Sequence, residues 1–256
     1  MTSYKNQNLI VVLLVASLLV LTGKELMAQD STKAQKKLKN TIHFNITNPV
    51  IFGKSMIFGY ERVVSPHQSF SVNFGTTGFP SLNIINADSI QLQTIRDESG
   101  YNFSVDYRFY LSRQNKFEAP HGVYIGPYYS YNTFNKKHSW ALKTAAGSDV
   151  QVDSDTRLDI HTVGVEFGFQ FIFWKRVALD LVLAGPGVAS YSLKSKLGSN
   201  LSQADMEKFY EKLNDALADR FPGYSVVIDE GQFKRNGSVK TTDIGYRYMV
   251  QIGFRF

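Results

Sequence analysis

Cysteine is absent from the 256-residue chain. Without a thiol the protein forms no disulfide, and a lipid anchor on a cleaved N-terminal cysteine is excluded as well. Long apolar runs are also scarce, and the most continuous one covers residues 9–21. That run is shorter than the about 20 residues that a membrane-spanning helix needs. The sequence therefore excludes a helical inner-membrane protein.

The apolar run near the start is typical of a secretory signal peptide. Lys5 precedes it, and Ala28 follows a short polar stretch. Such peptides combine a basic start, an apolar core of roughly 7–15 residues and a small residue at the cut. We predict cleavage after Ala28 or Gln29. The domain plan is a signal peptide (1–28), a basic periplasmic lead-in (29–40) and one domain (41–256). The formal net charge of +6 is raised by the first two segments, so we expect no nucleic-acid partner.

The last residues, 244–256, alternate between two kinds of side chain. One set is apolar or aromatic: Phe256, Phe254, Ile252, Val250, Tyr248, Tyr246 and Ile244. The other set is smaller or polar: Arg255, Gly253, Gln251, Met249, Arg247 and Gly245. A period of two predicts a β-strand with unlike faces. In a soluble sandwich the smaller face would point to water, and one strand leaves that alternative open.

An aromatic strand that stops on Phe256 resembles the terminal strand of outer-membrane β-barrels. In those families the barrel-assembly machinery recognises this strand. The resemblance therefore implies an assembly signal at Tyr246, Tyr248, Phe254 and Phe256, with the large apolar face directed to outer-membrane lipid.

The same alternation recurs along the chain and predicts an all-β, eight-stranded antiparallel transmembrane up-and-down β-barrel. The predicted strands cover residues 41–47, 55–64, about 70–74, 100–112, 122–133, 159–173, 177–193 and 244–256. Short turns alternate with long loops at 77–99, 134–157 and 194–242, apart from a short first connection. Short periplasmic turns and longer extracellular loops are typical of outer-membrane barrels. Pro127 within the fifth strand and Gly185 within the seventh predict local irregularities.

The loop at 194–242 carries a predicted helix. Ser202 is a suitable N-cap, apolar residues recur at helical spacing through 203–221, and Pro222 follows. The simpler interpretation is a helix that packs its apolar stripe on the barrel rim. Recognition of a partner by this helix is the alternative.

The inward faces of the predicted strands carry ionisable residues. They are Glu61, Asp106, Arg108, Glu166, Asp180, Arg247 and Arg255. An eight-stranded barrel is just wide enough for side chains to fill it, and isolated buried charges are very costly. We therefore expect a paired polar plug in place of an open channel. Asp180 and Arg255 fall at the same end of neighbouring strands, and we predict that they pair.

Catalytic and metal motifs are weak. The five histidines are scattered, and His161 has no serine on its strand face two residues away. Asp149, Asp153 and Asp155 lack the glycine and closing glutamate of an EF-hand loop. We expect no catalytic, cofactor or metal site, so an acid–base enzyme is the weaker alternative.

From the second strand onward the chain resembles the small eight-stranded outer-membrane barrels. That class includes the membrane anchor domain of the outer-membrane protein A family and the adhesion-related X family. The stretches 48–53 (NPVIFG) and 58–62 (FGYER) also resemble a family of small Gram-negative barrels with no assigned function. The resemblance implies location more than activity. We expect a non-enzymatic structural or interaction protein with partners at the three loops. A narrow porin-like or laterally opening transporter of small or apolar solutes, and a lipid-modifying enzyme, are alternatives.

Overall fold

A computed structural model describes residues 38–52, 55–78, 90–143, 149–197 and 236–256. The predicted signal peptide (1–28), most of the lead-in (29–40) and the predicted helix (203–221) lie outside these residues. Within the described ranges, no helix combines the length and the apolar character needed to cross a membrane.

Eight antiparallel strands follow one another around a closed barrel, in sequence order. They are β1 (Asn40–Asn45), β2 (Met56–Ser65), β3 (Gln68–Thr76), β4 (Ile90–Tyr110), β5 (Gly122–Lys143), β6 (Asp149–Phe173), β7 (Val177–Leu197) and β8 (Asn236–Arg255). Strand β8 closes the barrel by pairing with both β7 and β1. The predicted eight-stranded up-and-down architecture is confirmed.

The barrel carries its large apolar side chains on the outside. On β8, Tyr246 and Phe254 are 54% and 50% exposed, whereas the intervening Met249 and Gln251 are 6% and 0% exposed. Because successive side chains of a strand point to opposite faces, the same division repeats around the barrel. An apolar outer belt and a largely polar interior result.

The height of this outer apolar belt follows from β6. Its outward residues are apolar from Val163 to Phe173, and His161 and Asp159 follow beyond. At about 3.3 Å per residue, that stretch is about 33 Å long. At a strand tilt of about 40° it gives a belt about 25 Å tall.

The strands extend farther than the sequence predicts. Strand β4 begins at Ile90, β5 continues to Lys143, and β6 begins at Asp149. The predicted loop 134–157 is therefore wrong, since only 144–148 separates the two strands. Strand β7 runs to Leu197 and β8 begins at Asn236, so the predicted loops 77–99 and 194–242 are also too long.

A reversal of the side-chain pattern explains why the sequence does not predict these strand extensions. In the extended parts of the strands, beyond the belt, the outward residues become polar, as at Lys137 and Arg157. Phe134 and Leu158 are instead buried. The apolar–polar alternation that marks the belt strands is thereby reversed. The ladder hydrogen bonds join backbone groups and continue regardless, from Phe134↔Leu158 to Lys143↔Asp149.

The connections between strands lie at the two ends of the barrel, which differ in the length of these connections. The turn end holds the connections at 66–67, 111–121 and 174–176, and the loop end lies opposite. Trp174 and Lys175 have φ angles of 47° and 65°, which suits the tight hairpin turn between β6 and β7. At the loop end β1 and β2 are joined by a short helix, α1 (Thr47–Phe52), which the sequence did not predict.

The two predicted irregularities lie where expected. The β4–β5 register has no partner at Gly126 or Pro127, although both residues pair with β6. This arrangement tolerates the missing N–H of proline. In β7 the register shifts between Val182 and Gly185. The inward residues of this strand are therefore even-numbered up to Val182 and odd-numbered from Gly185 onward.

Candidate functional site

Arg108 is the centre of a polar cluster that fills the part of the barrel nearer to the turn end. Its guanidinium is fully buried, with Nε 2.7 Å from Asp106 Oδ2 and Nη1 2.9 Å from Asp180 Oδ2. Glu61 and Glu166 each approach it at 3.6 Å. One arginine on β4 therefore joins carboxylates from β2, β4, β6 and β7.

Arg247 extends this cluster toward the loop end. Its Nη1 lies 3.1 Å from Glu166 Oε2, and its Nη2 lies 3.3 Å from Asp106 Oδ1. The guanidinium also lies over the ring of Tyr128, at 5.0 Å from the centroid. Arg108 and Arg247 thus share Asp106 and Glu166.

The Glu61 carboxylate contacts the members of the cluster that lie nearest to the turn end. Ser69 Oγ donates to its Oε1 at 2.6 Å, and Gln170 Nε2 donates to its Oε2 at 2.9 Å. Tyr110 Oη lies 3.0 Å from the same carboxylate, and His43 Nε2 lies 3.2 Å away. Because charge-assisted hydrogen bonds are the strong ones, this network ties β1, β2, β3, β4 and β6 together.

The structure brings together all the predicted lumen residues except Arg255. Arg255 donates to the carbonyl oxygens of Leu38 at 2.8 Å and Lys175 at 3.4 Å, at the turn end. The predicted Asp180–Arg255 pair is therefore wrong. In the β7–β8 register Asp180 lies opposite Gln251, and its carboxylate turns to Arg108 and to Tyr124 Oη, 2.8 Å away.

The cluster also contains two aromatic residues that the sequence analysis does not place in the lumen. Tyr124 is fully buried, and the Arg108 guanidinium lies 4.5 Å from the centroid of its ring. Tyr128 donates to the Gly185 carbonyl at 2.7 Å. The signal was available, because both alternate with the outward residues of β5.

The arrangement around Glu61 does not form a nucleophile–base pair. Ser69 and His43 both contact the Glu61 carboxylate, so the carboxylate lies between the hydroxyl and the imidazole. A serine nucleophile needs the base at its own hydroxyl. All three side chains are also buried. Within the described residues, no group of three or more potential metal ligands converges.

His161 lies on the outer face, just above the apolar belt. Its ring stacks on Tyr131 at 4.6 Å between centroids, and Tyr129 Oη is 2.9 Å from its Nδ1. Burial acts to raise the pKa of the nearby Asp159, but hydrogen bonds from Arg157 and Tyr131 outweigh it and hold that pKa below its ordinary value. This surface is an aromatic and charged border to the belt.

The residues of the predicted assembly signal lie on the barrel-closing strand. Tyr246, Tyr248 and Phe254 are exposed on the outer face of β8, and Phe256 directly follows the strand. The backbone of Phe256 exchanges hydrogen bonds with Asn40, at 2.9 and 3.3 Å. These residues therefore lie at the β8–β1 and β7–β8 junctions.

Fold and site together define an eight-stranded antiparallel barrel with an apolar exterior and a buried ionic core. No family model matches the chain. No curated protein matches it either. Among solved structures, it is similar to a major outer membrane protein from Thermus thermophilus. The two are 8% identical, with a TM-score of 0.33, and the match covers 85% of this chain and 98% of that one.

Proposed function

We propose that this chain is an integral outer-membrane β-barrel protein with a closed lumen, acting as a structural or interaction protein and not as an enzyme. The observation that carries the proposal is the inverted distribution of side chains. Phe58, Phe74 and Val163 are 52%, 60% and 62% exposed, whereas Glu61, Arg108 and Glu166 are fully buried. In water the reverse arrangement would be stable.

The dimensions of the apolar belt support a bilayer location. Its height of about 25 Å equals the apolar band typical of outer-membrane barrels. Tyrosines border the belt at Tyr101, Tyr129 and Tyr131, as aromatic side chains do at membrane interfaces. Outer-membrane lipid is accordingly the first partner in this proposal, and the barrel-assembly machinery, acting on β8, is the second.

The ionic core supports a closed lumen. Residues from every strand meet in it: His43, Glu61, Ser69, Asp106, Arg108, Tyr110, Tyr124, Glu166, Gln170, Asp180, Arg247 and Gln251. Glu61, Arg108, Asp180 and Gln251 have no accessible surface at all. Ions would have to displace this network to cross, and each broken contact would leave a buried charge without its partner.

Conductance in planar bilayers tests the closed lumen. We expect the refolded chain to be silent, and Arg247→Ala and Glu166→Ala to be silent as well, because Arg108 and its other partners still fill the barrel. Arg113→Ala, in the exposed turn 111–121, is the matched control. Steady conductance of the unmodified chain that changes with the two lumen substitutions would overturn the proposal and favour a porin-like transporter.

Lateral opening near Gly185 is the other form of transport. The β7–β8 pairing resumes at Gly185↔Arg247 and continues to Gly187↔Gly245. On the other side, Gly187 pairs with Gly164 of β6. The irregularity is local, so this observation favours a closed wall over a transporter of apolar solutes. A lipid-modifying enzyme has no supporting feature in the described residues.

A further inference from the structure

A cavity of about 170 Å³ lies on the loop side of the ionic core. That volume has room for about five or six water molecules at about 30 Å³ each. Arg247 and Ser104 form part of its wall next to the core, and Asn45 and Thr47 form part at the end of β1. Strand β1 ends there at Asn45, whereas the neighbouring β8 extends toward the loop end as far as Asn236.

Part of the cavity lining consists of neutral hydrogen-bonding groups. Asn102 Nδ2 donates to Asn132 Oδ1 at 2.6 Å, which fixes both amides. An amide carries two donors and a carbonyl acceptor, so each side chain keeps further capacity beyond this bond. Hydroxyl groups adjoin these amides at Ser104, Ser130 and Thr162.

Aromatic and aliphatic side chains lie among these polar groups, because Phe134 is the next inward residue after Asn132 on β5 and Ile160 lies opposite Asn132 on β6. Phe134, Ile160, Tyr191 and Met249 line the cavity, and each is at most 6% exposed. Tyr128 also lines it, and the Arg247 guanidinium lies 5.0 Å from the centroid of its ring. The cavity therefore offers amides and hydroxyls next to aromatic and aliphatic groups.

The charge next to the cavity does not favour an anion. Arg247 is the charged residue among the described lining, and its guanidinium contacts both Asp106 and Glu166. No excess positive charge is left to select an anion. The carboxylates are turned toward the guanidinium groups and are fully buried, so they offer little to a cationic ligand. The lining favours a neutral ligand.

We propose that this cavity binds a single ring of a neutral sugar. The amides and hydroxyls hydrogen-bond sugar hydroxyl groups, and the aromatic and aliphatic side chains beside them pack against the C–H face of the ring. Sites with a few placed polar groups on a largely apolar lining are usual for small ligands. This site goes beyond the proposed function, because a closed lumen with no ligand satisfies that function equally well.

Calorimetric titration of the refolded chain, in a detergent without a sugar headgroup, tests the site. We expect saturable binding of methyl glucoside, and weaker binding of glucuronate and glucosamine, which carry a charge. Asn132→Leu removes an amide and leaves Asn102 without its partner, and we expect at least about a tenfold loss of affinity. Gln114→Leu, in the exposed turn 111–121, should bind like the unmodified chain.

Three results would overturn the sugar site. They are the absence of saturable binding up to the solubility of methyl glucoside, tighter binding of glucuronate or glucosamine, and unchanged affinity in a folded Asn132→Leu variant. If Asn132→Leu fails to fold, the comparison of the three sugars on the unmodified chain still decides. Conductance is a separate measurement, so failure of the sugar site and failure of the closed lumen are distinguishable.

Discussion

Replacing Arg108 by methionine should destabilise the barrel by about 3–5 kcal/mol, the cost of breaking a buried ion pair by removing one partner. Methionine keeps much of the side-chain length but removes the positive charge. Asp106 and Asp180, at 2.7 and 2.9 Å, would lose their nearest cation. Urea unfolding of the chain in lipid vesicles measures the change in the free energy of unfolding.

The matched control for Arg108 is Arg113→Met. Arg113 lies in the exposed turn 111–121, where surface substitutions usually change stability by less than about 0.5 kcal/mol. Equal, small effects of both substitutions would mean that the buried ion cluster contributes nothing to the stability of the barrel. Failure of Arg108→Met to insert, with normal insertion of Arg113→Met, would agree with the expected loss.

The second large effect is expected at the middle of the apolar belt. Phe167 points outward from β6 and is 42% exposed. Phe167→Arg would place a cation near the bilayer midplane, at a cost of about 2–4 kcal/mol. The same unfolding measurement in vesicles detects it.

Ser190→Arg is the control for the belt substitution. Ser190 is an exposed residue of β7 next to His161, above the belt. Charged substitutions near the interface cost only about 0–1 kcal/mol. If Phe167→Arg were as mild as Ser190→Arg, the outer face of β6 would be in contact with water and the bilayer assignment would fail.

The sequence predicts the faces of the strands better than their lengths. Within the belt, residues such as Phe167 and Glu166 differ so strongly that the period of two is unambiguous. Beyond the belt, Lys137 points outward and Phe134 inward, so the pattern reverses and the sequence predicts a loop there. The hydrogen bonds of the extended strands depend on backbone groups alone, which periodicity does not report.

The partners inside the lumen were less predictable than its composition. Alternation places Asp106, Arg108 and Asp180 inside, but it does not set how strands β4 and β7 align across the barrel. That alignment depends on the stagger of the strands, which is a property of the closed barrel. It brings Arg108 to Asp180, and it leaves Arg255 at the turn end with backbone carbonyls.

The absence of cysteine makes the bilayer location directly measurable. Single cysteines at Val163, Phe167, Phe171 and Asp155 would carry an environment-sensitive fluorophore along the outer face of β6. In vesicles whose acyl chains bear nitroxides, we expect the strongest quenching at Phe167, weaker quenching at Val163 and Phe171, and none at Asp155. Uniformly weak quenching along the strand would contradict a membrane-embedded barrel.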